Sequence, residues 1–215
     1  MNKLIIIFIT LISFNILASE FEIADESKYI PDFTNRFSAL IGVNPDMTKT
    51  NENETLHLSY GLHKIENAWW DFNFTYSKGH FDKLTTNNPT ATLLSSNQMA
   101  YSTTTSQMAF GAGLQYETHY IQTLMPFKDM YELIGASLTY NFLKDPQVSN
   151  TFSGPGMIAK YSVLKKLTNY ISIGGNLIYN LAVVKRSQLN STETSSSRSL
   201  TLSHLTLGFD FSFYL

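Results

Sequence analysis

From residue 35 onward, large apolar side chains recur at every second position, and few folds satisfy that period. In Leu205-Thr206-Leu207-Gly208-Phe209-Asp210-Phe211-Ser212-Phe213 every odd residue is apolar and every even one is small or polar. A period of two places the two sets on opposite faces of a β-strand. From Tyr170 to Val184, Ile171, Ile173, Leu177, Tyr179, Leu181 and Val183 share one face, while Ser172, Gly174, Asn176 and Asn180 share the other. The stretches Gln107–Tyr120, Trp70–Ser77 and Leu56–His63 repeat the pattern, and it persists more weakly over Arg36–Val43, Glu132–Phe142 and Met157–Leu164. The total is about eight strands, several reaching the ~9–11 residues of a tilted membrane strand.

The segments between these strands alternate in length. Asn44–Glu54, His80–Ser106, Leu143–Pro155 and Lys185–Ser199 read as long polar loops, and Lys64–Asn67 and Lys165–Asn169 as tight turns. Ile121–Asp129, with Pro126, is longer than its place among the turns predicts. With the first strand starting in the periplasm, the long loops all fall outside the cell and the shorter turns inside, the up-and-down layout of membrane barrels.

A soluble secreted barrel of the lipocalin type also alternates, with its apolar face turned inward. The polar face separates the two cases. A water-facing sheet uses Lys, Glu and Thr for solubility. Here that face is mainly Gly, Ser, Thr and Asn, and it takes Gly42, Gly61, Gly111, Gly113, Gly135, Gly174 and Gly208 by parity. Small side chains suit the inside of a narrow eight-stranded wall. Composition agrees: charged residues are 15% of the chain, against roughly 25% for a soluble domain. With no Cys there is no disulfide framework, thiolate metal site or catalytic thiol. A formal net charge of -2 argues against a nucleic-acid partner.

The start of the chain reads as an export signal. Met1-Asn2-Lys3 precedes an apolar run, Leu4–Leu17, and the small residues Ala18 and Ser19. The expected organisation is a signal peptide over residues 1–18, a periplasmic leader over 19–34 and the barrel over 35–215. No later run is long enough for a spanning helix. Aromatic residues gather near strand ends: Trp69, Trp70, Tyr116, Tyr120, Tyr170, Phe213 and Tyr214 fit a girdle at the periplasmic interface.

The end of the chain is the most specific motif. Thr206, Gly208, Phe211 and Phe213 form a polar residue, a glycine and two aromatics on the last strand, two residues before the terminal Leu215. The pattern resembles the terminal-strand signal that outer-membrane assembly machinery reads. With it the chain resembles the small outer-membrane β-barrels of the OmpA/OmpX-like type over about residues 35–215. The resemblance implies an all-β, eight-stranded antiparallel up-and-down transmembrane β-barrel in a bacterial outer membrane. Its implied partners are outer-membrane lipids, lipopolysaccharide and the assembly machinery, with no cofactor, and the long loops are left for an unidentified extracellular partner.

Few charges share the small-residue face. Arg36, His63, Asp71, Glu117, Lys160 and Asp210 are expected to form an ion-pair network inside the lumen, because buried charge is costly unless paired. Arg36 and Asp210 are the expected couple, since closure sets the first and last strands side by side. The resulting role is structural or surface-interacting, with a polar, plugged lumen. Two alternatives stand beside it. A lipid-modifying enzyme would need a nucleophile and base such as Ser59 and His57, or His80 and Asp82 in a loop. His204 is followed by Leu205 and Thr206, not by the His-x-Ser of known barrel deacylases. A narrow ion or small-solute channel would use the same lumen charges. Glu117 and His119 share a face, but two ligands do not make a metal site.

Overall fold

A computed structural model describes residues 33–45, 54–65, 67–80, 85–86, 104–121, 129–144, 151–187 and 197–215. The signal-peptide segment and most of the leader lie outside the described residues. Eight long strands carry the alternation: β1 (Asn35–Val43), β2 (Glu54–Ile65), β3 (Ala68–His80), β4 (Thr104–Thr118), β5 (Met130–Lys144), β6 (Thr151–Lys166), β7 (Ile171–Ser187) and β8 (Ser197–Tyr214). Each pairs antiparallel with the next. β1 then pairs with β8 from Arg36 opposite Tyr214 to Val43 opposite Leu207, so the sheet closes on itself. A two-residue strand, Thr85–Thr86, adds to β8 at Thr201 and Leu200. Closure removes the ring's open edges, the condition for strands to cross a bilayer.

The register decides which face meets what. Arg36, Ser38 and Leu40 on β1 are buried, while Phe37 and Ile41 are exposed. The same division runs around the ring, and Leu138 and Ile41 reach 78% and 72% exposure. The apolar face is therefore outside, which excludes the lipocalin-like arrangement. The margin at which β1 begins carries exposed Trp70, Tyr116, Tyr120 and Tyr170. Toward the other margin, Tyr140 donates to Ser153 at 3.3 Å and Tyr179 shares a hydrogen bond with Ser203 at 2.7 Å. Rings with one apolar and one wet end suit a lipid–water boundary.

Three sequence expectations need correction. First, two of the predicted loops are partly strand at both of their ends. β5 runs to Lys144 and β6 starts at Thr151, while β7 runs to Ser187 and β8 starts at Ser197, which leaves 145–150 and 188–196 outside the described residues. Backbone pairing continues past the lipid band, where outward positions such as Thr151, Ser153 and Ser203 no longer need to be apolar, so the alternation fades before the ladder does. Pro155 sits in this extension opposite Tyr140, and the register toward β7 resumes only at Gly156 because proline has no N–H to give. Second, Trp69 and Tyr214 do not join the girdle. They point inward and are buried at 0% and 5% exposure. Third, the lumen is not uniformly polar. Trp69, Tyr131, Leu133, Leu164 and Tyr214 form an apolar cluster at the end where β1 begins, with Phe33 packed against it. Leu40, Ile158 and Ile178 form another farther along. Side chains that fill a narrow interior gain dispersion contacts whether or not they are polar.

Candidate functional site

Four of the strands' charged side chains meet in the lumen. Asp71 on β3 is the acceptor of one centre. Gln115 donates to its Oδ1 at 2.6 Å and Asn73 to its Oδ2 at 2.7 Å. Ser137 donates to Oδ2 at 3.2 Å, and Ser59 donates to Oδ1 as well. The Arg36 guanidinium donates through Nη2 to Gln115 Oε1, so the amide bridges the cation and the carboxylate. Arg36 also lies over the Trp69 ring, 5.7 Å from its centroid. Asp210 is the second centre. Lys160 Nζ is 3.5 Å from its Oδ2, while Asn176 donates at 2.8 Å and Ser212 at 3.0 Å. All four charged side chains are buried. Two cations and two anions balance, and each cation is an electrostatic neighbour of both carboxylates.

The expected couple of Arg36 with Asp210 is not made. Closure does place β1 beside β8, but the register sets Arg36 opposite Tyr214 and Leu40 opposite Asp210. Asp210 is met by Lys160 instead. Of the six residues assigned to the network, Arg36, Asp71, Lys160 and Asp210 come together. Glu117 and His63 stand nearer the end where β1 begins, and Glu117 has both Arg36 and His63 as electrostatic neighbours. Glu117 Oε1 is 3.7 Å from His119 Nε2. The His63 ring meets Trp69 edge-on at 5.1 Å.

Sequence reading missed several members. Gln115, Asn73 and Asn176 shared the right parity but carry no charge to mark them. Arg186 lay in a predicted loop, yet it is buried in β7 with its guanidinium 5.4 Å from the Phe152 ring centroid. Glu132 breaks the outward rule. It takes hydrogen bonds from Thr118 at 2.8 Å and Tyr161 at 2.6 Å, which satisfies a carboxylate on the outer wall.

Further polar pairs begin at His57, which sits opposite Leu40 in the β1–β2 register. His57 Nδ1 pairs with Thr75 Oγ1 at 2.8 Å, Thr55 with Ser77 at 3.0 Å, and Gln107 donates to Asn141 at 2.8 Å. His57 and Ser59 thus have other partners, Thr75 and Asp71, and both are buried inside the wall. Asp82 lies outside the described residues. Among the described residues no three His, Cys, Asp or Glu side chains gather into a metal-sized cluster.

Neither a family model nor a curated protein matches the chain. Among solved structures, Neisserial surface protein A is similar with a TM-score of 0.46 and 12% identity, over 84% of this chain and 94% of that one. A major outer membrane protein from Thermus thermophilus is similar with a TM-score of 0.44 and 13% identity, over 83% and 99%. Ail, the attachment invasion locus protein of Yersinia pestis, follows at 0.33 and 10%, over 83% and 95%. These likenesses are distant, and the assignment rests on the closed ring and its exposed apolar belt. The fold is a closed eight-stranded β-barrel with the apolar outer face of a membrane-spanning barrel. A closed ring pairs every backbone group of its strands, which is what lets strands lie inside lipid.

Proposed function

We propose that this barrel is a structural or surface-interaction protein of the outer membrane, with a lumen closed to solutes. One observation carries the reading: the interior is filled at successive levels. The Trp69–Tyr131–Tyr214 cluster comes first, then the Arg36–Asp71 and Lys160–Asp210 centres, then Leu40 with Ile158 and Ile178. Phe33 adds to the periplasmic end, its ring 5.4 Å from Tyr170 and 6.0 Å from Tyr214. An apolar constriction blocks ions by excluding water. With no passage, the surfaces left for partners are the lipid belt and the extracellular rim, whose loops carry the contacts with lipopolysaccharide or another extracellular partner. In planar bilayers the protein will give no unitary current steps above background. Trp69→Ala will be equally silent, because the Leu40 level still closes the bore. Discrete steps from the native chain would overturn the reading in favour of a channel. The lipid-modifying alternative gains nothing from His57 and Ser59, which are engaged elsewhere.

The last strand is the proposed recognition element for the assembly machinery. Thr206 and Gly208 face inward, while Phe211 and Phe213 face lipid with ring centroids 4.7 Å apart. β8 is also the strand that must find β1, so a signal there marks the closing edge. Phe211→Ser with Phe213→Ser will slow insertion into vesicles that contain the machinery while leaving folding into detergent micelles unchanged. Equal rates in machinery-containing vesicles, or the same slowing in both settings, would sink the idea.

A further inference from the structure

The outer wall is not smooth. On β1 to β4 it carries a groove of about 340 Å³ lined by Phe37, Leu58, Tyr60, Phe72, Phe74 and Phe110. The register explains its shape. Phe37, Tyr60 and Phe72 lie on one rung, and Leu58, Phe74 and Phe110 on the next. Phe74 and Phe110 pack at 5.0 Å between centroids. The outward residues of β2 continue from Leu58 and Tyr60 through Leu62 toward the periplasmic end. There the ladder with β3 slips between His63 and Ile65, leaving Lys64 as the extra residue. A bulge re-aims a side chain. Here it leaves the exposed Lys64 ammonium over the Trp70 ring, 4.5 Å from its centroid, at the belt's periplasmic margin.

We infer that this face is a docking site for one glycerophospholipid of the periplasmic leaflet, with its phosphate on Lys64 and an acyl chain in the groove. The inference rests on the outer-membrane reading above. Dimensions agree. Lys64 is four residues beyond Tyr60, roughly 10 Å along the membrane normal for a tilted strand, within the ~15 Å half-thickness of a bilayer core. A lipid anchored at Lys64 therefore reaches the groove with the upper part of its chain. The groove offers no hydrophobic gain over bulk lipid, since tails are as apolar as the wall. Its contribution is packing against rigid rings. Selectivity for one bound molecule comes from the cation, because Lys64 is held at headgroup height where an anionic phosphate lies.

The test uses the full barrel reconstituted in nanodiscs of phosphatidylethanolamine and phosphatidylglycerol, released into the gas phase for native mass spectrometry. The native protein will retain one phospholipid per chain. Lys64→Glu will lower the retained fraction about fivefold or more, and Leu58→Trp, which fills the groove, will lower it comparably. Both variants will keep heat-modifiable gel mobility and insert into vesicles, which reports the barrel separately from the site. Failure to insert would count against the outer-membrane reading; insertion without lipid retention would overturn the docking site alone. Retention unchanged in both variants would also overturn it. A dimer peak lost in Leu58→Trp would assign the groove to a second copy of the chain instead.

Discussion

Asp210→Asn will cost the barrel about 3–5 kcal/mol, because it leaves the Lys160 ammonium buried beside an amide in place of its carboxylate. The substitution is nearly isosteric, so packing changes little and the loss is electrostatic. Asn176 and Ser212 remain within reach of residue 210. The Lys160–Asp210 distance of 3.5 Å and the near-complete burial of both groups make the pair intolerant of losing one member. Asp71 compensates in part, which places the effect toward the lower bound. Adding Lys160→Met removes the orphaned charge and will restore most of the loss, since two uncharged groups of similar volume need no pairing. Urea unfolding in lipid vesicles, followed by tryptophan fluorescence, measures both. A single-variant cost below ~1 kcal/mol, or a double variant no better than the single, would show that the pair is not coupled in the way its geometry implies.

Adjacent glycines on β7 will respond in opposite ways. Gly174 faces the lumen, and a Cβ built there falls on the carbonyl oxygen of Val163 and close to the Leu164 backbone. Gly175 faces lipid, with nothing within 4 Å of an added Cβ. Gly174→Val will destabilise by about 3 kcal/mol or more, beyond the usual overpacking range, because the obstacle is backbone and has no rotamer to yield. Gly175→Val will change stability by no more than ~0.5 kcal/mol, or raise it, because a β-branched residue suits an open strand position. The same unfolding assay reads both, and heat-modifiable mobility shows whether Gly174→Val closes at all. Equal effects at the two sites would refute the close approach of β6 and β7. The contrast follows from curvature: a narrow barrel crowds its inner wall and spreads its outer one.

How much of this was legible beforehand depended on the kind of signal. The eight strands were readable because lipid requires an apolar residue at every outward position, and that demand writes a period of two into the chain. The inward glycines followed from the same parity. The ends of β6 and β8 were not readable. Above the lipid band the outward demand lapses, while hydrogen bonding continues unseen in the side-chain pattern. Trp69 and Tyr214 misled for a related reason: aromatic character suggested the girdle, although the parity of Trp69 with Asp71 already placed it inside.

The lumen divided along another line. The candidate charges could be collected by parity, since Arg36, Asp71, Lys160 and Asp210 all fall on the small-residue face. Their partners could not be chosen. Pairing depends on stagger between strands, and a stagger leaves no trace within any one strand. It set Leu40 opposite Asp210 and gave that carboxylate to Lys160, and it brought Gln115 between Arg36 and Asp71. The groove above Lys64 is likewise a product of registration, built from rings on four strands and a one-residue bulge. By itself, the sequence determined strand number, facing and the outward apolar wall, because these are local responses of each residue to lipid or interior. Only the tertiary structure decided which residues touch, because that rests on the closure and shear of the whole ring.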